Sequence, residues 1–212
     1  MKTLIIIPAR YASTRYPGKP LVMLKGAFGR NISLLQRSWE VAKTVNEAQR
    51  VIIATDDIRI KNHAEGFGAE VVMTSESCKN GTERCAEAVG LLEETYDTVI
   101  NFQGDAPLTP SWFVTDLINA LKDNKNFLVA TPALECDFEM ALDLINDRKN
   151  GRVGGTTVVF SKNNSALYFS KEVLPFIPRD SLQRNLVPIY HHVGVYGYRV
   201  DTLSRYKDWE SG

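Results

Sequence analysis

Short, continuously apolar runs recur along this chain, separated by polar loops or by segments with helical spacing. The first, residues 4–7 (Leu-Ile-Ile-Ile), is stopped by Pro8. With no polar position in alternation, it reads as a strand buried on both faces. Residues 51–54, 71–73, 99–102 and 127–130 repeat the pattern, and between the runs the spacing predicts helices over residues 33–45, 57–67, 82–94 and 111–121. Such alternation predicts an α/β fold, a mostly parallel sheet with helices on both faces. Thr82 with Glu83 is placed to cap the third helix, and Gly66 and Gly68 bracket the end of the second.

After Asp147 the texture changes. Gly151, Gly154 and Gly155 precede apolar runs at 156–160, 166–169 and 193–198, with few helical stretches between them. This predicts a strand-rich second half that completes or overhangs the main sheet. No linker or repeat marks a boundary, so residues 1–212 are expected to form a single domain.

Composition narrows the partners. The 25 basic residues balance the 25 acidic ones, so no overall field gathers nucleic acid or an anionic membrane, and any anion site must be local. Cys78, Cys85 and Cys136 form neither an even set nor a CxxC pair, which argues against a disulfide framework or zinc site and for a reducing compartment. Met1-Lys2-Thr3 runs straight into the first strand without a secretory pattern. No apolar run approaches the roughly 20 residues that span a bilayer, so a cytoplasmic location without membrane contact is expected.

In an open α/β sheet ligands bind beyond the carboxyl ends of the strands, which directs attention to the loops there. The first, Pro8-Ala9-Arg10-Tyr11-Ala12-Ser13-Thr14-Arg15-Tyr16-Pro17-Gly18-Lys19-Pro20, gathers the cations Arg10, Arg15 and Lys19 with two hydroxyls and a glycine. A triphosphate needs that combination, because cations neutralise its oxygens and glycine lets the backbone approach. It is not a P-loop: no glycine precedes Gly18, and Pro20 stands where Ser or Thr should be. An exposed basic loop without a ligand is the alternative. Asp56-Asp57 fits either a metal pair or, preferably, a helix N-terminal cap. The stretch from Lys79 to Arg84 is a glycine turn into a helix start, able to offer free N–H groups to a base edge or an anion. Gln103-Gly104-Asp105 ends the fourth strand; its carboxylate suits a nucleotide-bound Mg²⁺, or else is a turn aspartate bonding its own backbone. His63 reads as a surface or packing residue. His191 and His192 point to opposite faces of one strand, so only one of them can enter a given site.

Taken together, Ile7-Pro8-Ala9-Arg10, Ser13-Thr14-Arg15, Pro17-Gly18-Lys19-Pro20, Ala54-Thr55-Asp56-Asp57, Gly81-Thr82-Glu83-Arg84, Gln103-Gly104-Asp105, Ala166-Leu167-Tyr168-Phe169-Ser170 and His192-Val193-Gly194-Val195-Tyr196-Gly197-Tyr198-Arg199 resemble, in order, the segments of CMP-KDO synthetases, the 3-deoxy-manno-octulosonate cytidylyltransferases. The resemblance implies a Rossmann-like nucleotidyltransferase fold, CTP and an acidic 3-deoxy sugar as substrates, Mg²⁺ as cofactor and a homodimer. Residues of about 1–135 would then bind nucleotide, and residues of about 136–212 the sugar and a partner copy. It implies nucleotide contacts from Pro8, Ala9, Arg10, Ser13, Arg15, Lys19, Gly81 and Thr82, with Lys19 and Asp105 catalytic and Asp105 holding the metal. Arg84, Gln103, His192, Tyr196 and Glu210 would face the sugar. An acylneuraminate-type acceptor and a nucleotide-binding module without turnover are the alternatives.

The chain departs from the family pattern in carrying Ala106 where a larger residue, often Glu, usually follows Gln-Gly-Asp. It also has Gly151-Arg152-Val153-Gly154-Gly155-Thr156-Thr157-Val158-Val159 where Asn-Pro-Asn and Val-Lys-Val-Val usually stand, which leaves an 8-amino sugar open. Relatives are expected to continue beyond the position of Glu210 with a second metal-binding aspartate.

Overall fold

The run of residues 4–7 is completely excluded from solvent, because the strand that carries it has paired neighbours on both edges and helices on both faces. In a computed structural model that describes residues 1–12, 16–26, 29–178 and 187–208, the chain forms two compact units. Met1–Ala130 with Val195–Gly212 make the first and Thr131–Gly194 the second. Along the chain, β1 (Thr3–Ala9) leads to a 3-10 turn (Lys19–Leu21), the small hairpin of β2 (Met23–Lys25) and β3 (Asn31–Ser33), and α1 (Leu34–Ala42). There follow β4 (Arg50–Thr55), α2 (Ile58–Gly66), β5 (Glu70–Met73), α3 (Gly81–Gly90), β6 (Thr98–Asn101), α4 (Ser111–Asp123) and β7 (Val129–Ala130). The second unit holds β8 (Ala133–Glu135), α5 (Phe138–Lys149), β9 (Thr157–Phe160), β10 (Ala166–Ser170) and β11 (Tyr190–His192). The chain then returns to the first unit as β12 (Tyr196–Arg199) and α6 (Val200–Ser204).

The main sheet runs β5-β4-β1-β6-β12-β7. Its first four strands are parallel, and β12 joins β6 antiparallel, with Tyr196 opposite Asn101. Side chains alternate across it. Leu4 and Ile6 join Ile52, Val99, Cys85 and Ala88 in one core cluster on the α3 side. Ile7 lies on the other face, where Gly104 approaches it together with Leu35 of α1. Each fully buried aliphatic chain contributes about 1.5–3 kcal/mol, which makes β1 the most heavily anchored segment. The mostly parallel α/β sheet is as the apolar runs predict, and β12 is the part of the second half that completes it.

The second unit is a four-stranded antiparallel sheet in the order β10-β9-β11-β8. Helix α5 forms where the spacing predicts none. Its apolar face is narrow, with Ala141 and Leu144 buried among charged neighbours, and the legible signal was Asp137, whose side chain accepts from the Met140 N–H at 2.7 Å. The expected run at 193–198 divides, because the chain leaves the second unit after Gly194 and begins β12 only at Tyr196. All three cysteines are buried thiols outside any disulfide. Among the described residues no helix is long and apolar enough to cross a membrane.

Gly197 shows how tightly β12 is packed. A Cβ there would lie 2.9 Å from Leu121 Cδ1 and 3.2 Å from Ile100 Cδ1, both on completely buried side chains. Gly197→Ala is therefore expected to cost about 1–3 kcal/mol by overpacking. A urea melt with an unshifted midpoint would show that α4 yields instead.

Candidate active site

From β1 the chain steps outward to β4 and β5 and then returns to the other side of β1 as β6. The loops leaving β1 and β6 therefore part company at a topological switch point, where such sheets open a crevice. A cleft of about 490 Å³ lies there. Pro8 and Ala9 line it from the end of β1, Arg10 and Lys19 from the loop that follows, Gly81 and Arg84 from the start of α3, and Gln103 and Asp105 from the loop after β6.

Two glycines let these segments meet. A Cβ on Gly104 would stand 3.2 Å from the Pro8 carbonyl oxygen and 3.5 Å from Leu35 Cδ1, and one on Gly81 3.2 Å from Pro8 Cγ. The Gly104 carbonyl accepts from Ser38 Oγ of α1 at 3.1 Å. The Asp105 carboxylate that follows is directed to Lys19, Nζ to Oδ2 2.5 Å, with both side chains about half exposed. The turn itself is closed by backbone, Ala106 N–H donating to the Gln103 carbonyl at 3.2 Å, so the carboxylate is not consumed by turn formation. An exposed pair of this kind adds at most about 1 kcal/mol to stability, which leaves both charges available to a ligand at small cost.

The start of α3 supplies donors. Asn80, rather than Thr82, is the cap: its side chain accepts from Glu83 N–H at 2.9 Å, and the Glu83 carboxylate accepts from Lys79 N–H at 2.8 Å. Asn with Glu three residues on was the available signal. The Gly81 and Thr82 N–H groups have no acceptor among the described residues, and they lie at the positive end of the ten-residue helix. Thr82 Oγ1 is 3.5 Å from the Tyr198 hydroxyl. Burial pushes that phenol up to about 12.

Arg84 reaches the cleft with little free capacity. It is 2% exposed; Nη2 donates to Asp56 Oδ2 at 2.6 Å and Nη1 to Thr74 Oγ1 at 2.5 Å. The acidic pair thus divides its labour, since Asp57 caps α2 by accepting from Arg59 N–H while Asp56 neutralises Arg84. Asp56 and Thr74 carried no sequence signal for that role, because their partner is distant in the chain.

Gln103 Nε2 donates to Asn101 Oδ1 at 3.3 Å. Tyr196 is half-buried on β12, its ring 6.0 Å from that of Tyr198, and burial raises its pKa. His192 belongs to the second unit, where Nε2 lies 2.9 Å from Thr131 Oγ1 and the ring meets Phe169 edge-on at 5.0 Å. Burial holds both neighbouring imidazoles below their ordinary value. His191 packs instead against Gly155, where a Cβ would stand 2.9 Å from the ring. Ser13, Arg15 and Glu210 lie outside the described residues.

Among the described residues no group of three or more His, Cys, Asp or Glu could hold a metal ion. Asp105 alone nevertheless suits Mg²⁺. It offers hard oxygens in an exposed cleft, and Mg²⁺ commonly takes one or two carboxylates together with substrate phosphates and water.

Residues 4–211 match the family described as cytidylyltransferase. A 3-deoxy-manno-octulosonate cytidylyltransferase of Maricaulis maris is 44% identical over 203 residues, 96% of this chain and 75% of that protein. Its counterpart in Parabacteroides distasonis is 40% identical over 210 residues, 96% of this chain and 77% of that protein. The fold resembles the structure of a CMP:2-keto-3-deoxy-manno-octonic acid synthetase complexed with CTP, at a TM-score of 0.83 and 31% identity over 100% of this chain and 80% of that one.

Removing Asp56 would leave the Arg84 charge buried without its counter-ion. Asp56→Ala is expected to lower unfolding free energy by about 3–5 kcal/mol in urea titration. Asp56→Asn, which can still accept a hydrogen bond, should lose less. Equal, small losses in both would show that Arg84 finds solvent.

Proposed function

This chain belongs to the cytidylyltransferase family, and on that basis we propose that it transfers CMP from CTP to the anomeric hydroxyl of 3-deoxy-manno-octulosonate (KDO) or a close 3-deoxy-octulosonate. Pyrophosphate is released, and the product serves lipopolysaccharide synthesis in the cytoplasm. The observation that carries the reading is the cleft at the switch point, where Arg10, Lys19 and the start of α3 at Gly81 line the same space as the carboxylate of Asp105, which Lys19 contacts.

In this reading Pro8 and Ala9 form the cleft wall, while Arg10, Lys19 and the α3 amides hold the triphosphate oxygens, joined by Ser13 and Arg15. Asp105 would hold Mg²⁺, which when bound supplies positive charge to the phosphate oxygens. The anomeric oxygen attacks the α-phosphorus and a new P–O bond forms. The bond to the bridging oxygen breaks, its electron pair leaves on pyrophosphate, and the hydroxyl proton passes to solvent. Lys19 is the catalytic cation of this scheme, because a charge on a flexible stem can leave Asp105 and follow the phosphoryl oxygens as their charge is redistributed. Gln103, Tyr196, His192 and Glu210 are assigned to the sugar. For Arg84, committed to Asp56 and Thr74, the assignment is to shape that side of the cleft.

The protein is proposed to act as a homodimer. Strand β10 is an edge of the antiparallel sheet, and its Leu167, Tyr168 and Phe169 are 66%, 62% and 42% exposed. An apolar edge of this kind is a ready template for pairing with a second chain.

Pyrophosphate release from CTP and Mg²⁺ is expected with KDO or 8-amino-KDO and not with N-acetylneuraminate; the reverse preference would overturn the acceptor assignment. Asp105→Asn keeps the shape and removes the charge, so turnover should fall on the order of a hundredfold or more with the thermal midpoint nearly unchanged. Turnover within a few-fold of the parent would remove the metal role. Tyr168→Asp should convert a dimer to a monomer by light scattering, and a mass unaltered by the substitution would rule out the β10 edge as the interface.

A further inference from the structure

Outside the cleft, the start of α2 is tied to the first loop by a contact that the reaction as described does not use. Asp57 Oδ1 accepts from both the backbone N–H and Nε of Arg59 at 2.9 Å, and Oδ2 accepts from Nη2 at 2.6 Å. The helix cap therefore also fixes the plane of the guanidinium. That plane lies on the Tyr11 ring, with the guanidinium carbon 3.3 Å from the ring centroid, an arrangement in which a flat cation is attracted to the ring face. Gly18 meets the same ring. Its N–H donates to the Tyr11 carbonyl at 2.9 Å, its φ is +72°, and a Cβ there would stand 3.1 Å from Tyr11 Cε2. A side chain at 18 would thus be both strained and obstructed.

Tyr11 directly follows Arg10, and Gly18 directly precedes Lys19. We propose that Asp57, Arg59 and Tyr11 form a clamp that holds both ends of the first loop, so that Arg10 and Lys19 face the cleft before nucleotide arrives. Arg59 and Tyr11 are then positioning residues for triphosphate binding. Ordering two charged side chains and the backbone that carries them is a cost that otherwise falls on the binding step. The clamp meets it in the free protein, with the rigid end of α2 as anchor. The inference rests on the reading of the cleft as a nucleotide site.

The test measures CTP affinity by calorimetry, KM and kcat, and the thermal midpoint, in the parent and five variants: Arg59→Ala, Arg59→Lys, Tyr11→Phe, Tyr11→Ala and the double variant Arg59→Ala/Tyr11→Ala. Arg59→Ala should weaken CTP binding and raise its KM about tenfold, with kcat within about twofold and the midpoint little changed. Arg59→Lys keeps the charge but lacks the flat fork, so it should show most of the same loss; full recovery with Lys would overturn the clamp in favour of simple charge attraction. Tyr11→Phe keeps the ring and should bind CTP as the parent does. The double variant Arg59→Ala/Tyr11→Ala should be no weaker than the weaker single variant, because both remove one device; additive losses would overturn it. If the parent takes CTP and Arg59→Ala binds within twofold, the clamp is wrong while the function stands. A parent that takes no CTP overturns the reading of the cleft and the clamp with it.

Discussion

Strand β1 is paired along both edges and covered on both faces, so the one part of it able to meet a ligand is its carboxyl end. The rest of the active site depends on that constraint. The strand cannot shift without exposing four large aliphatic chains, each worth about 1.5–3 kcal/mol. Pro8 and Ala9 are thereby presented at a fixed height, and Gly81 and Gly104 pack against this fixed point at distances that a side chain would crowd. The cleft is the space left where the β1 and β6 loops turn away from each other.

Charge is arranged around that space in two different ways. Where it must remain available, as in Lys19 with Asp105, the pair is half exposed and weakly held. Where it must remain in place, as in Arg84 with Asp56, the pair is nearly sealed from water, and the low local dielectric makes either partner costly to lose. Zero net charge is compatible with the proposed polyanion site, because the relevant field belongs to one loop and one helix end rather than to the whole molecule.

The acidic pair at Asp56 and Asp57 shows why part of the site escaped the sequence. Both residues were visible as candidates for one role, capping or metal binding. The structure gives each a separate partner, Arg59 two residues along the chain for Asp57 and Arg84 on the next helix for Asp56. The first is local and legible, since a carboxylate before a helix accepts from its first N–H groups. The second follows from the packing of α3 against the sheet. Helix α5 escaped for a related reason, its narrow apolar face giving little periodic signal before a second sheet was there to receive it.

By itself the sequence determined the alternation of buried strands and helices, the parallel core, and the loops that line the cleft. It could do so because apolar periodicity, glycine and proline act through the nearest few residues. The tertiary structure alone decided that Asp105 reaches Lys19, that Arg84 is committed to Asp56, that Asn80 caps α3 and frees the Gly81 and Thr82 amides, and that Arg59 lies on Tyr11. It also divided the last third of the chain into a separate antiparallel sheet and a returning strand, β12. Apart from the cap, these pairings join residues far apart in the chain. Their energies exist only after the loops have been closed by the folding of everything between them.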